Sequence, residues 1–203
     1  MKKRYVGSIV GAALAALMMA MPTVAAIKSG GTAPNFTAQA SLAGKEFTFS
    51  LAEALKKGPV VVYFYPAAFT GGCDIEAHTF ATNKEKFDAA GATIIGVSAD
   101  SIERLNAFSS DPKYCAGKFP VASDPDGKVA ASYDLKEEAA QSGATDVRGI
   151  AIDHGFISRT TFVIASDGRV VATLSSEDDH LSPDQHVKKS LAIVQSLQKG
   201  TMK

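Results

Sequence analysis

The sequence is poor in cysteine, with Cys73 and Cys115 as its only two. They form no C-x-x-C pair, and this argues against the dithiol site that thioredoxin-like oxidoreductases normally use. Cysteine and histidine also form no cluster with metal-ligand spacing. The four histidines are scattered along the chain, and we expect His154, His180 and His186 in loops or on a surface helix. The sequence therefore predicts no bound metal ion and no cofactor.

An excess of charge of one sign is missing as well. The 203 residues contain 21 Lys and Arg and 21 Asp and Glu, so the formal net charge is zero. Without a large basic face, nucleic acid is not expected as a partner. The Gly71-Gly72 pair does not indicate a phosphate loop, because no Gly-Lys-Ser/Thr follows it. Internal repeats and low-complexity linkers are absent, and the length suits one domain.

The N-terminus carries a long uncharged apolar run, VGSIVGAALAALMMAM, after the basic start MKKRY. Small residues follow it, in the order typical of a secretory signal. We expect a signal peptide over residues 1–26 with cleavage after Ala26, or alternatively after Ala25, and a single mature domain over 27–203. An uncleaved anchor is the other interpretation, although the run is short for a span of about 20 residues. The protein is therefore expected to be periplasmic or secreted.

Apolar strands alternate with capped helices along the rest of the chain. The pattern predicts a hairpin over 35–49, a second hairpin over 160–174, buried strands over 60–65 and 93–98, and a short strand over 119–123 followed by a turn and a short helix. Helices are predicted over 51–57, 73–90 and 100–109, and a closing helix through 197 has Ser182 as its cap and Pro183 at its first position. Residues 136–154 resemble a loop with a short helix. This order predicts an α/β fold with a mixed central sheet flanked by helices.

The stretch YPAAFTGGCDIEAH, residues 65–78, places Cys73 just after a buried strand and at the start of a helix. A helix N-terminus offers free N–H groups and partial positive charge, which favour the thiolate over the thiol. The pair Gly71-Gly72 permits a tight turn, and the Thr70 hydroxyl can donate to sulfur or to a substrate oxygen. These features favour a nucleophile over an inert buried thiol.

Pro66, Thr70 and Cys73 in YPAAFTGGC resemble the active-site signature of the peroxiredoxins, which are thiol-dependent peroxidases. The segments GTAPNFT, GVSADS, FPVASDPDG and SRTTFVI follow in the family's order, so the resemblance covers most of the mature chain. The bacterioferritin-comigratory, or peroxiredoxin Q, type is the most similar branch. The resemblance implies a thioredoxin-like fold with an N-terminal β-hairpin extension, and a monomer or homodimer.

The resemblance also implies roles for individual residues. Cys73 matches the peroxidatic cysteine, Thr70 the hydroxyl that bonds thiolate and peroxide, Pro66 the residue that shields the thiolate, and Arg159 the arginine that pairs with it. Arg159 would lower the pKa of the thiol, with a surface salt bridge as the alternative. Glu76 lies one turn after Cys73 and is expected either to orient Arg159 or to be solvated. Arg148 is a weaker second candidate, with a surface position as its alternative.

In the implied reaction Cys73 attacks hydrogen peroxide or an organic hydroperoxide and becomes a sulfenic acid, which a second thiol must reduce. Relatives of this branch often carry that resolving cysteine five residues later, where this chain has His78. Two alternatives remain: Cys115 resolves Cys73, or an external thioredoxin-like or small-thiol reductant does. An exported thiol-disulfide oxidoreductase or electron carrier is the competing functional class, and a copper-binding module on the same fold is a third.

Overall fold

The computed structural model describes residues 26–200. The expected signal peptide, residues 1–26, therefore falls outside the described residues except for its last position, and export stays a prediction. Among the described residues no helix combines the length and the apolar character that a membrane crossing requires.

Within residues 26–200, nine strands form two sheets. They are β1 (Thr37–Leu42), β2 (Lys45–Ser50), β3 (Val60–Phe64), β4 (Thr93–Ser98), β5 (Val121–Ser123), β6 (Glu137–Glu138), β7 (Phe156–Ile157), β8 (Thr160–Ile164) and β9 (Val170–Ser175). Seven build the central sheet in the order β2-β1-β5-β4-β3-β8-β9, and β6 pairs with β7. β3, β4 and β5 run parallel, whereas the other pairs of the central sheet are antiparallel. The predicted α/β fold with a mixed central sheet is confirmed.

In the described part of the chain, five helices cover the two faces of this sheet. They are α1 (Leu51–Leu55), α2 (Gly71–Ala89), α3 (Ile102–Ser110), α4 (Lys128–Ser132) and α5 (Pro183–Gln198). One hydrophobic core contains side chains of α2, α3 and α5, and the other contains side chains of α1 and α4. Cys73 and Cys115 both belong to the first core, so the two thiols lie on the same side of the sheet.

The centre of the sheet is as apolar as the sequence suggested. All five residues of β3 are buried, which is typical of a strand covered by helices on both faces. Gly96 on β4 is required here, because a Cβ at this position would stand 2.6 Å from the Tyr63 ring. The loop that follows β3 leads directly into α2. The chain therefore presents Cys73 at the carboxyl end of a central strand, where open α/β sheets place their sites.

Two local predictions were wrong. Ser101, not Asp100, caps α3, because its hydroxyl accepts the N–H of Arg104 while Asp100 turns into the interior. Residues 136–154 contain no helix; they form β6 and then turns held by the bridge between Thr145 and Ala151. A smaller difference concerns α2, which begins two residues earlier than expected. The start of α5 is confirmed, because Ser182 caps the helix in a capping box with Gln185 and Pro183 is its first residue.

Candidate active site

Cys73 lies in the first turn of α2 and is only 2% exposed. The helix is capped by Thr70, whose backbone is extended, and Cys73 is its third residue, within the turn whose N–H groups have no partner inside the helix. The Thr70 hydroxyl donates to the Ala67 carbonyl at 2.7 Å and is also within hydrogen-bond reach of the Cys73 thiol. The predicted neighbourhood of Thr70 and Cys73 is therefore present.

Arg159, 86 positions after Cys73 in the sequence, contacts its thiol. It stands immediately before β8, and its Nη2 lies 3.1 Å from Cys73 Sγ. Its Nη1 donates to Oε2 of Glu76, whose side chain is fully buried. The alternatives of a surface salt bridge for Arg159 and a solvated carboxylate for Glu76 are both wrong. Gly72 makes room for this arrangement, since a Cβ there would lie 3.3 Å from Arg159 Nη2.

The electrostatics of the thiol differ from the expectation in one respect. Burial raises the pKa of Cys73, and the opposing influences of Arg159, Thr70 and the Ala67 backbone do not fully cancel it. A lowered pKa had been expected from the helix N-terminus and the arginine. The physical reason is that the closed pocket removes water from the sulfur, which disfavours its charged form. The hydrogen-bond donors and the positive charge around Cys73 therefore offset only part of the free energy that burial adds to its thiolate.

Burial also changes the two charged neighbours. It raises the pKa of Glu76 to about 7, although Arg159 opposes the shift. Burial alone would disfavour the Arg159 cation, but Cys73 and Glu76 outweigh that effect and raise its pKa above the usual range. Arg159 is therefore a permanent positive charge that contacts both the thiol and the carboxyl group.

Pro66 is the first residue after the buried strand segment and is half-buried. It is followed by Ala67, Ala68 and Phe69, which are all buried. The structure thus places Pro66 in the same loop as Thr70. Its role as a shield of the thiolate stays a prediction.

Cys115 lies just after α3, in a turn, and is fully buried with a free thiol, as is Cys73. Its pKa is well above the usual value because of burial, with Asp74 and Asp111 adding to the effect. The imidazole Nδ1 of His78 on α2 lies 3.2 Å from the Lys113 carbonyl, two residues before Cys115. The turn that carries Cys115 is therefore packed against the helix that carries Cys73.

Sequence reasoning missed a charged cluster that the structure places behind the active-site loop, residues 65–70 between β3 and α2. Asp100 accepts the Ala68 N–H at 2.7 Å, and Arg104 donates to the Ala68 carbonyl at 2.9 Å. His154 lies in a loop before β7, as predicted, but its side chain turns inward, where Nε2 lies 2.9 Å from the same Asp100 carboxylate. The position of Asp100 directly after a buried strand was the only signal for this cluster.

Two further predictions can be compared with the structure. Arg148 stacks on Phe69, with its guanidinium carbon 3.3 Å from the ring centroid, and so lies at the active-site loop. His186 is fully buried between Thr161 and Ser176, each 3.0 Å from a ring nitrogen. Burial and the nearby Arg159 lower the pKa of His186 to about 4, so it is neutral.

Comparisons with known proteins agree with this geometry. The model of the AhpC/TSA family matches residues 29–173. A chloroplastic peroxiredoxin Q of Sedum lineare is 32% identical over 173 residues, which cover 85% of this chain and 81% of the relative.

Solved structures give the same result. Peroxidoxin BcpB of Mycobacterium tuberculosis superposes with a TM-score of 0.69 at 31% identity, covering 84% of this chain and 98% of the other. The bacterioferritin comigratory protein of Xanthomonas campestris, described as having alkyl peroxide reduction activity, superposes with a TM-score of 0.60 at 28% identity, covering 79% and 91%.

The matched family model spans well over half of the chain and includes Cys73, Glu76 and Arg159. The chain therefore belongs to the AhpC/TSA family of peroxiredoxins and is a thiol-dependent peroxidase.

Proposed function

We propose that Cys73 is the nucleophile that reduces hydrogen peroxide and organic hydroperoxides. The observation that carries this proposal is the Arg159 guanidinium, which contacts Cys73 Sγ with one nitrogen and Glu76 with the other. A guanidinium held in this way stabilises the thiolate before the reaction and the oxygen that gains charge as the O–O bond breaks.

The reaction is a displacement at oxygen. The Cys73 thiolate attacks the terminal peroxide oxygen, the O–O bond breaks, and water or an alcohol leaves after taking up a proton. Sulfur keeps the attacked oxygen as a sulfenic acid. Thr70 lies where its hydroxyl can orient the peroxide, and the first-turn N–H groups of α2 add to the stabilisation of negative charge.

We propose Cys115 as the thiol that resolves the sulfenic acid. It lies on the same side of the sheet as Cys73, in a turn that contacts α2. Both thiols are buried and free, so one of the flanking segments must open before they meet. The condensation forms the S–S bond and releases water. A thioredoxin-like or small-thiol reductant then restores both thiols.

A peroxide-consumption assay of the purified protein with dithiothreitol tests the function. We expect turnover by the wild type and by Cys115→Ser, and none by Cys73→Ser. Full turnover by Cys73→Ser would overturn the assignment. The mass of the peroxide-treated wild type without reductant tests the resolving step. Loss of two hydrogens supports the Cys73–Cys115 disulfide, and gain of oxygen at Cys73 supports an external thiol.

Export and assembly are part of the same proposal. The basic start, apolar run and small residues at the N-terminus support a cleaved leader ending at Ala26. N-terminal sequencing of the protein isolated from its native cells tests this, and a chain that still begins at Met1 would contradict it. A monomer or homodimer is expected, and light scattering of the purified protein would show either.

A further inference from the structure

The active-site loop, residues 65–70, is held at Ala68, two positions before Thr70. Ala68 donates its N–H to Asp100 Oδ2 at 2.7 Å, and its carbonyl accepts from Arg104 Nη2 at 2.9 Å. Arg104 Nε lies 2.8 Å from Asp100 Oδ1, so the two side chains form an ion pair. One buried charged pair therefore fixes both polar backbone groups of Ala68.

Phe69, the next residue, has a φ of 60°, an uncommon conformation for a bulky side chain. Such a conformation persists only when the surroundings enforce it. The enforcing contacts come from the irregular segment after β6. The Val147 N–H donates to the Phe69 carbonyl at 3.0 Å, and the Arg148 guanidinium covers the Phe69 ring.

The same segment is fastened to the Asp100–Arg104 pair at two points. The first is Asp146, whose buried Oδ2 lies 2.9 Å from Arg104 Nη2 and 2.7 Å from Arg148 Nη2. Its Oδ1 accepts the N–H groups of Arg148 and Ile150. Asp146 therefore joins the arginine that holds Ala68 to the arginine that covers Phe69.

The second fastening point is His154. Its Nε2 faces Asp100 Oδ1 at 2.9 Å, and its Nδ1 faces the Gly155 carbonyl at 2.8 Å. Both partners are acceptors, so only the doubly protonated imidazolium can donate to both at once. Arg104 is the charged group on the opposing side, and it works against that protonation. The charged form of His154 is therefore the one that fastens the segment fully.

We propose that residues 144–154 form a strap that positions the active-site loop. Asp146 and His154 anchor the strap to the Asp100–Arg104 pair, and Arg148 packs on Phe69. The strap contacts Ala68 and Phe69, which precede Thr70 directly. It therefore sets the position of the Thr70 hydroxyl relative to the Cys73 thiol. Its residues do not contact the reacting atoms. The proposal rests on the peroxidase function proposed above and assigns this chain further positioning residues for that reaction.

The chain contains a matched control for Arg148. Arg169 follows Asp167 with the same spacing as Arg148 follows Asp146, and its N–H donates to the aspartate in the same way. That turn joins β8 to β9, and both of its side chains are exposed. Arg148→Met and Arg169→Met therefore each remove an arginine two residues after an aspartate. The Arg148–Asp146 pair is closer and its carboxylate is buried, and only the first variant also uncovers the Phe69 ring.

The first test measures the rate constant for oxidation of Cys73 by hydrogen peroxide, in competition with a reporter peroxidase, together with the thermal midpoint. We expect about a tenfold slower oxidation in Arg148→Met, no change in Arg169→Met, and partial recovery in Arg148→Lys, which keeps the charge near Asp146. Equal rates in Arg148→Met and the wild type would overturn the proposal. An inactive wild type would instead overturn the proposed function.

The second test uses a readout that general destabilisation would not move. Burial lowers the pKa of His154, but the hydrogen bonds to Asp100 and Gly155 outweigh it and leave the pKa raised. His154 is therefore charged and donates to both Asp100 and Gly155 below about pH 6.5, the usual pKa of histidine. One of these two hydrogen bonds is lost as pH rises through the raised pKa. The ratio of wild-type to His154→Gln oxidation rates should be largest at about pH 6 and fall toward about pH 9. A ratio that is constant with pH would overturn this part of the proposal.

Discussion

Cys73 and Cys115 are both buried on the same side of the sheet, yet the charges around them have opposite signs. Cys73 contacts the Arg159 cation and the N-terminus of α2. Cys115 faces Asp74 and Asp111, which raise its pKa beyond the effect of burial. Burial disfavours the thiolate of both, and we propose that the difference in charge makes Cys73 the nucleophile.

The largest expected effect comes from removing the sulfur that faces the cation. Cys73→Ser should lower the rate of peroxide reduction by about a thousandfold or more, because a hydroxyl is a far weaker nucleophile than a thiolate. Cys115→Ser is the matched change at the other buried thiol, and it should leave the first oxidation step intact. Stopped-flow peroxide consumption measures both. A comparable loss of rate in the two variants would show that the two thiols do not differ in reactivity toward peroxide.

Removing the cation itself should have the next largest effect. Arg159→Met takes away the donor to Cys73 and leaves Glu76 without its partner, so oxidation should slow by roughly a hundredfold or more. Arg159→Lys should recover only part of the rate, because one ammonium group replaces two guanidinium nitrogens held at fixed positions. The rate constant for sulfenic acid formation is the readout. A rate in Arg159→Met within about twofold of the wild type would contradict this role.

Glu76 gives a prediction for stability. Its pKa is raised to about 7 from an ordinary value near 4.5, so its contribution to stability is complete below about pH 4.5 and is lost as pH rises through about 7. Glu76→Gln lacks this loss. Relative to the wild type, the variant should gain roughly 3 kcal/mol in free energy of unfolding between about pH 4.5 and about pH 8. Urea unfolding at both values measures it, and a pH-independent difference would be inconsistent with a raised pKa.

The smallest expected effect concerns the acidic side of the comparison. Asp74→Asn should lower the pKa of Cys115 by a fraction of a unit up to about one unit, because it removes a nearby negative charge. The ultraviolet absorbance of the thiolate, titrated in a Cys73→Ser background, gives the value. Asp88→Asn changes an exposed carboxylate at the other end of α2 and is the control. An unchanged or higher pKa in Asp74→Asn would show that Asp74 does not influence Cys115.

Local sequence patterns predicted the part of the fold that depends on local signals. The uninterrupted apolar letters of β3 and β4 indicated buried strands, and the loop after β3 indicated a helix that begins near Cys73. The partnership of Cys73 with Arg159 joins residues 86 positions apart. Periodicity does not report such a distance, and the match came from the family signature.

The charged cluster of Asp100, Arg104 and His154 behind the active-site loop could not be predicted from local patterns. Asp100 before a helix is a normal N-cap pattern. The structure uses Ser101 as the cap and turns Asp100 inward, where Ala68, Arg104 and His154 meet it. These contacts depend on how residues 136–154 return to the sheet, and that segment has no periodic pattern from which to infer its path.

The central claim is that the buried thiol beside the arginine reacts first and the one beside the carboxylates does not. The most direct measurement treats the protein with one equivalent of hydrogen peroxide in the presence of the sulfenic-acid reagent dimedone and maps the adduct by peptide mass spectrometry. The Cys115→Ser variant prevents disulfide formation from competing with the trap, and Cys73→Ser is treated in parallel. The account predicts rapid labelling of Cys73 in the first variant and none of Cys115 in the second. Labelling of Cys115 at a similar rate would contradict it.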